Sequence, residues 1–253
     1  DLDGSSKMFA NFVIKNVGDK AITIYLGNKI SSDINLKVHY ICEKINQDSP
    51  PWLIDVVPAY NSLTVIYDLC KINSEKVKHY LLGIVPLRNP TTKNSVNRKP
   101  IINIPVKYGG EEGPDLEYVA DYCKLPSGEV VNIHSSNVYL VYMIGFSPGF
   151  PYLGKLDSRI RCPRLEKPRM KVSPGSVGLA DDQTGIYSIE SPGGWRLIGK
   201  TPISLFNLEK SNPFFILPGT KVKFFSIDLR IYDKIQRKIL KGENILDFEE
   251  DFD

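Results

Sequence analysis

The residues with the clearest capacity for chemistry are two arginines that each follow a proline, in the steps Pro163-Arg164 and Pro168-Arg169. A guanidinium group binds carboxylates and phosphates through paired hydrogen bonds, and the preceding proline restricts the backbone that presents it. Both steps lie in residues 159–171, which contain six cations and one glutamate. Recognition of a carboxylate or phosphate is one interpretation, and an exposed basic loop is the other. Because no aromatic residues alternate with these cations, a nucleic-acid surface is not indicated.

His134 is a second candidate, because imidazole exchanges its proton near neutral pH. The sequence predicts that His134 ends a short helix just before a strand at residues 138–144, from which it could reach a pocket as acid, base or hydrogen-bond donor. A structural role is the alternative. The other two histidines, His39 and His79, lie on predicted helices, and we expect them at the surface or half-buried.

A Gly-x-Ser-x-Gly sequence at residues 145–149 follows a predicted strand, as the nucleophile elbow of a serine hydrolase would. The residue after Ser147 is Pro148, which has no N–H group to donate to an oxyanion. No histidine follows His134 in the chain to complete a triad. We therefore predict no serine nucleophile at this position.

Glycine-rich turns at residues 173–176 and 191–195 lack the spacing of a phosphate-binding loop or a dinucleotide fingerprint. They could bring backbone N–H groups and the side chains of Gln183, Tyr187 and Trp195 close to a small polar ligand. Trp195 could equally be part of the core.

Composition excludes several classes of protein. The net charge of +3 is too small to indicate a nucleic-acid partner, and the four cysteines have neither metal-ligand spacing nor a disulfide pattern. The longest apolar run, residues 138–146, is much shorter than the roughly 20 residues of a membrane span. We expect a cytoplasmic protein with no metal site and no membrane partner, in which residues 1–7 are a cloning remnant before Met8.

The elements that would position these residues fall into two predicted domains. Residues 8–86 have a strand and helix order typical of a small α+β sandwich, with Ile34, Val38, Ile41 and Ile45 on one face of a helix and a second helix at Ser74–Ile84. Residues 87–100 are a predicted linker, and residues 242–253 a predicted acidic tail. Residues 101–241 contain short β-rich segments typical of a barrel, at 101–106, 138–144, 176–180, 185–189, 195–198, 203–206 and 221–227. Helices are predicted near 115–123, 128–134 and 228–241.

Six motifs in one order give the chain a resemblance to a known family. They are IPVKYGGEEGPDL (104–116), GFSPGFPYLG (145–154), the two Pro-Arg steps, PGSV (174–177), QTGIY (183–187) and SPGGW (191–195). The sequence resembles the bacterial 5-oxoprolinase B subunit family, also called allophanate hydrolase subunit 1, which includes KipI-type inhibitors of a histidine kinase. The resemblance implies a small α+β N-terminal domain and a cyclophilin-like β-barrel C-terminal domain.

The resemblance also implies a function. Members of the family act with the 5-oxoprolinase C and A subunits to hydrolyse 5-oxo-L-proline to L-glutamate with ATP, so the chain would be a non-autonomous hydrolase component whose site is shared with the C subunit. The implied catalytic residues are His134 and Arg169, and the implied substrate-binding residues are Arg164, Gln183, Tyr187, Gly194 and Trp195. A KipI-type inhibitor that binds a sensor histidine kinase and blocks its autophosphorylation is the alternative. A prolyl isomerase would rest on fold analogy alone.

Overall fold

The computed structural model describes residues 12–85 and 101–241. The chain divides into two compact units, Asp1–Arg98 and Lys99–Asp253. The predicted remnant at 1–7, linker at 87–100 and acidic tail at 242–253 lie outside the described residues.

The first unit is a four-stranded antiparallel sheet packed against two helices. Its elements are β1 (Val13–Asn16), β2 (Ala21–Tyr25), α1 (Ser32–Asp48), β3 (Leu53–Pro58), β4 (Ser62–Tyr67) and α2 (Ser74–Ile84), and the sheet order is β1-β2-β4-β3. Alternation buries one face of β2 and β4, and the predicted stripe of α1, at Val38, Ile41 and Ile45, packs on it. Side chains cap both helices, since the Ser31 hydroxyl accepts the Ile34 N–H and the Asn73 carbonyl accepts that of Lys76.

The second unit is a closed seven-stranded barrel in the order β10-β7-β6-β13-β5-β12-β9. Its strands are β5 (Ile101–Tyr108), β6 (Val138–Ile144), β7 (Pro151–Gly154), β9 (Ser176–Ala180), β10 (Gln183–Ile186), β12 (Arg196–Lys200) and β13 (Lys221–Ser226). Strand β13 runs parallel to β5 and antiparallel to β6. The predicted α+β class with a β-barrel is therefore confirmed.

Helices and one small sheet surround the barrel. They are α3 (Leu116–Cys123), α4 (Ser127–Ser136), α5 (Leu229–Leu240), a short 3-10 helix (Ser158–Ile160) and a two-stranded sheet of β8 (Arg169–Val172) with β11 (Ser191–Gly193). We call this sheet the β8–β11 ribbon. Along each barrel strand one set of residues fills the interior and the alternate set faces outward, as on β9, where Val177 and Leu179 point inward and Ala180 outward.

The structure departs from the predicted elements in the glycine- and proline-rich region. Residues 203–206 form no strand, because Ile203 donates its N–H locally to the Thr201 hydroxyl and only Phe206 makes an isolated bridge, to Phe214. Ile203 is buried all the same, so its apolar character reflects a loop that packs on the core. Three short strands, β7, β8 and β11, were not predicted, because the prolines and glycines in and beside them indicate turns.

Candidate functional site

An aromatic cluster lies on the outer face of the barrel, where β7, β9, β10 and β12 meet the β8–β11 ribbon. Its rings are Phe150, Tyr152, Tyr187 and Trp195. The Phe150 ring meets those of Tyr187 and Trp195 edge-to-face at centroid separations of 5.2 and 5.3 Å. This geometry is the favoured one for aromatic pairs, so the cluster forms a rigid apolar wall.

The alternation of β10 explains which side chains reach this wall. Gln183 and Gly185 share the outward face, whereas Thr184 and Ile186 point into the barrel, where both are fully buried. Glycine is needed at 185 because a Cβ there would lie 2.9 Å from the Trp195 ring and 3.0 Å from the Phe150 ring. The small residue allows the two rings to lie against the strand.

The β8–β11 ribbon covers the cluster from outside. Gly193 lies opposite Arg169 in the antiparallel register, and Ser191 lies opposite Val172, which is buried among the aromatic rings. A Cβ at Gly193 would collide with the Tyr187 hydroxyl, so this face of the ribbon points toward Tyr187. Because opposed residues share a face, Arg169 projects to the same side.

The Tyr187 hydroxyl is the titratable group at the centre of this arrangement. Burial raises its pKa above the ordinary value, while a hydrogen bond from the Trp195 backbone and the positive charges of Arg169 and Arg164 act in the opposite direction. Both guanidinium groups are thus close enough to act on Tyr187. We expect the phenol to be protonated at neutral pH and able to donate a hydrogen bond.

An ion pair holds Arg169 in place. Its Nη2 atom donates to Oδ1 of Asp115 at 2.8 Å, and Oδ2 of the same carboxylate accepts the Leu197 N–H at 2.7 Å. Asp115 is 7% exposed. The pair therefore connects the β8–β11 ribbon to β12 of the barrel.

Two polar atoms of the ribbon are buried without a hydrogen-bond partner among the described residues: Nη1 of Arg169 and Oγ of Ser191. A buried unsatisfied donor costs about 1–3 kcal/mol, so such atoms are uncommon unless water or a ligand reaches them. Arg169 lies opposite Gly193 and Ser191 opposite the buried Val172, so both face the aromatic wall. The site therefore has unused hydrogen-bonding capacity beside an apolar surface.

Arg164 lies in the loop that leads to the ribbon and is far more accessible. Its Nε atom lies 3.4 Å from Asp181, and both side chains are more than half exposed. The loop is fixed to the site because the Leu165 N–H donates to the Gly194 carbonyl at 2.7 Å and the Arg196 Nε donates to the Pro163 carbonyl at 3.2 Å. Gly194 thus serves as an attachment point for the loop that carries Arg164.

His134 lies on the other side of the barrel wall. It is fully buried, its Nδ1 lies 2.7 Å from the Tyr108 hydroxyl, its Nε2 lies 2.9 Å from the Thr184 hydroxyl, and its ring stacks on Phe224. Burial lowers the pKa of His134 to about 3, so the ring is neutral. The imidazole faces the interior through Thr184 and does not reach the aromatic wall.

The Gly-x-Ser-x-Gly turn borders the site without the geometry of a nucleophile elbow. The Ser147 hydroxyl lies 3.4 Å from that of Ser188, which donates to the Pro148 carbonyl at 2.6 Å. Phe146, at the start of the turn, is exposed and has a positive φ of 64° while its ring meets Phe150 edge-to-face at 5.6 Å. The turn therefore contributes an aromatic edge.

Metal-binding clusters and membrane spans do not occur in the described part of the chain. Within 12–85 and 101–241, no group of three or more histidine, cysteine, aspartate or glutamate side chains is placed to hold a metal ion. None of the helices in these ranges has the length and apolar character needed to cross a membrane.

Comparison of the sequence with known proteins identifies its family. Residues 12–216 match the family model described as the carboxyltransferase domain, subdomain C and D. The sequence is 41% identical to the 5-oxoprolinase B subunit of Bacillus subtilis (strain 168), over 89% of this chain and 97% of that protein. It is 36% identical to the 5-oxoprolinase B subunit of Escherichia coli O157:H7, over 82% of this chain and 93% of that protein. The chain belongs to the 5-oxoprolinase B subunit family.

Solved structures of similar chains agree. The crystal structure of TTHA0988 is 32% identical with a TM-score of 0.73, and the match covers 83% of this chain but 40% of that longer one. A conserved protein of Pyrococcus horikoshii is 50% identical over 87% of this chain and all of its own, with a TM-score of 0.52. The urea carboxylase of Kluyveromyces lactis, 17% identical with a TM-score of 0.72 over 90% of this chain and 23% of its own, shares the fold.

In this member of the 5-oxoprolinase B subunit family, the structure places most of the predicted site residues on one face. Arg164, Arg169, Gln183, Tyr187, Gly194 and Trp195 border or support the aromatic wall, and His134 is separated from them by β10. Sequence reasoning missed Asp115 and Ser191 as site residues. Both lie inside motifs that carry the family resemblance, at 104–116 and 191–195, and this is the signal that could have identified them.

Proposed function

We propose that this chain is the B subunit of an ATP-dependent 5-oxoprolinase, which hydrolyses 5-oxo-L-proline to L-glutamate at a site shared with the C subunit and in a complex with the A subunit. The observation that carries this proposal is the 41% identity to the 5-oxoprolinase B subunit of Bacillus subtilis over nearly the whole of both chains. The match covers 89% of this chain and 97% of that protein.

The chemistry of the site suits such a substrate. 5-Oxoproline has a carboxylate, a lactam amide and an apolar ring, and Arg169 and Arg164 offer cations for the carboxylate. Phe150 and Trp195 are buried beneath the ribbon, so the exposed Phe146 and the half-buried Tyr152 offer the apolar surface for the ring methylenes. Gln183 on the outward face of β10 offers an amide for the lactam. Hydrolysis adds water to the lactam carbonyl, breaks the C–N bond and leaves a second carboxylate and an amine.

His134 has a different part in this proposal from the one that the family resemblance implies. A neutral, fully buried ring with both nitrogens already hydrogen-bonded has no free atom for a substrate. We propose that His134 fixes α4 to β10 through its hydrogen bond with Thr184 and does not touch the reacting atoms.

The contacts of the described residues do not distinguish a nucleotide from a carboxylate ligand. Arg169 and Arg164 are cations suited to a phosphate or to a carboxylate, and each already has one carboxylate partner, Asp115 and Asp181. We therefore assign no ATP contact to this chain and derive no step through it.

Reconstitution tests the proposal. The purified chain is mixed with its cognate A and C subunits, ATP and 5-oxoproline, and glutamate is measured against a mixture that lacks this chain. We expect glutamate only in the complete mixture. Arg169→Lys should reduce the rate, whereas Arg159→Ala, at an exposed arginine paired with Asp157 outside the site, should not. Equal glutamate with and without the chain would refute the proposal.

The KipI-type inhibitor function stays a prediction, since no contact in the parts of the chain described here favours it over the enzyme function. Its direct assay is autophosphorylation of a sensor histidine kinase, measured with and without excess protein.

A further inference from the structure

We infer that Asp115 is a positioning residue, which aligns the Arg169 guanidinium for a carboxylate-bearing ligand. The inference rests on the proposed function, because it assigns Arg169 to the recognition of the substrate carboxylate. Neither the two Pro-Arg steps nor the glycine-rich turns include Asp115 or indicate a role for it.

Asp115 is fixed to the barrel through both its backbone and its side chain. Its N–H donates to the Leu197 carbonyl at 2.8 Å, and its Oδ2 accepts the Leu197 N–H at 2.7 Å. The remaining oxygen, Oδ1, is directed to Nη2 of Arg169 at 2.8 Å. Asp115 is therefore held on β12 by one backbone and one side-chain contact, and it presents its remaining carboxylate oxygen to Arg169.

Asp115 does not make the capping hydrogen bond that an aspartate usually makes at the start of a helix. Asp115 immediately precedes α3, where its carboxylate would ordinarily accept an N–H of the first helical turn and stabilise the helix. The structure shows no such side-chain bond at this helix start. The carboxylate is instead directed across the fold, to a residue 54 positions later in the chain.

The number of hydrogen bonds in the ion pair also indicates that Asp115 positions Arg169, beyond attaching the ribbon to β12. An arginine that serves only to pair with a carboxylate commonly does so with two parallel hydrogen bonds. Here Asp115 accepts from Nη2 alone, because its other oxygen is occupied by Leu197, and Nη1 remains buried and without a partner among the described residues. Asp115 thus anchors the guanidinium through Nη2 and leaves Nη1, with its two N–H groups, uncommitted among the described residues.

The side chain that carries Nη1 lies on the Tyr187 side of the ribbon. Arg169 lies on the ribbon face that points to Tyr187, and its charge acts on the Tyr187 hydroxyl. Without Asp115, the long Arg169 side chain would have to be ordered on binding, which would weaken binding by about two- to tenfold. Asp115 removes that cost before the ligand arrives.

The test is the kinetics of the reconstituted complex with Asp115→Asn. The amide oxygen can still accept the Leu197 N–H, but the negative charge that aligns Arg169 is lost. We expect the KM for 5-oxoproline to rise about tenfold with kcat within about twofold, since the carboxylate is bound alike in the ground and transition states. Asp157→Asn, which removes the partner of the exposed Arg159, is the matched control and should leave KM unchanged.

The outcomes separate the inference from the proposed function. If the wild-type complex makes no glutamate, the proposed function fails before any variant is measured. If the wild-type complex is active and Asp115→Asn has the wild-type KM, or loses kcat in proportion to a loss of folded protein, the positioning role is wrong. Should Asp115→Asn fail to fold, Asp115→Glu keeps the charge on a longer side chain, and a wild-type KM in that variant would equally overturn the inference.

Discussion

The Nε2 atom of His134 donates to the Thr184 hydroxyl at 2.9 Å, inside the barrel and on the opposite face of β10 from Gln183. The neighbouring hydrogen bonds determine which atom of this pair is the donor. Thr184 gives its own proton to the Gly178 carbonyl at 3.1 Å, so it must accept from the imidazole, and Nδ1 is left to accept from the Tyr108 hydroxyl. The ring is thus held as a single neutral tautomer that has no room for a second proton.

This arrangement predicts a loss of stability in acid. The pKa of His134 is lowered to about 3 in the folded chain, against about 6.5 when unfolded, so the unfolded state takes up the proton first. The contribution is fully present above pH 6.5 and is lost as the pH falls toward 3, at about 1.4 kcal/mol per pH unit. Urea unfolding at pH 7, 6 and 5 measures it. His134→Gln, which can still donate and accept, should show a shallower dependence, and equal slopes in the two proteins would contradict the assignment.

Gly193, the last residue of β11, and Gly194, the residue after it, should differ in their tolerance of an added methyl group. Gly193→Ala places a Cβ against the Tyr187 hydroxyl, and Tyr187 is confined by Phe150, so we expect a loss of roughly 1–3 kcal/mol in the free energy of unfolding. Gly194→Ala is the matched control, because its Cβ would meet Pro168 at an ordinary 3.6 Å. Thermal melting of both variants compares them. An equal decrease in melting temperature would mean that Tyr187 moves aside freely.

The two arginines of the Pro-Arg steps should differ in their contribution to stability. Arg169→Ala leaves the buried Asp115 carboxylate without its cation, and because the arginine itself is only part-buried we expect a loss of about 1–3 kcal/mol in the free energy of unfolding. Arg164→Ala removes an ion pair whose partners are 58% and 64% exposed, and such pairs contribute about 0–1 kcal/mol. Denaturant titration of the full chain separates the two. A larger loss for Arg164→Ala would show that the Asp115 pair is not the one that fastens the ribbon.

The four cysteines should divide by reactivity. Burial raises the pKa of Cys42 and of Cys162 to about 12 and also raises that of Cys123, so little reactive thiolate forms at these positions at pH 8. Cys70 is exposed. Titration of the native chain with Ellman's reagent should therefore give one fast thiol, which Cys70→Ser removes, and the others should react on unfolding. A fast phase that survives Cys70→Ser would contradict this assignment.

Sequence patterns over a few neighbouring residues predicted the two helices of the first unit. The spacing of Val38, Ile41 and Ile45 identified α1, because helix periodicity involves residues within a few positions of each other. Residues 74–84 were likewise predicted with the bounds that the structure gives α2.

The same short-range patterns did not predict contacts between residues that are far apart in the chain. Asp115 and Arg169 meet across 54 positions, and nothing in either segment indicates the other. The apolar character of Ile203 predicts a strand although the residue packs on the core from a loop. For His134, alternation on β10 decides which side of the barrel wall the imidazole faces, and that depends on its contact with Thr184, 50 positions away.

The position of β13 determines which strand edges stay exposed while the chain is being synthesised. It lies between β5 and β6, pairing Lys221–Ser226 in parallel with Ile101–Val106 and antiparallel with part of β6. Until β13 has emerged from the ribosome, β5 and β6 each have an exposed edge that is open to pairing with another chain. Contacts across so many residues also slow folding. The newly made barrel is therefore most exposed to aggregation, and most dependent on chaperones, in the interval just before its last strand arrives.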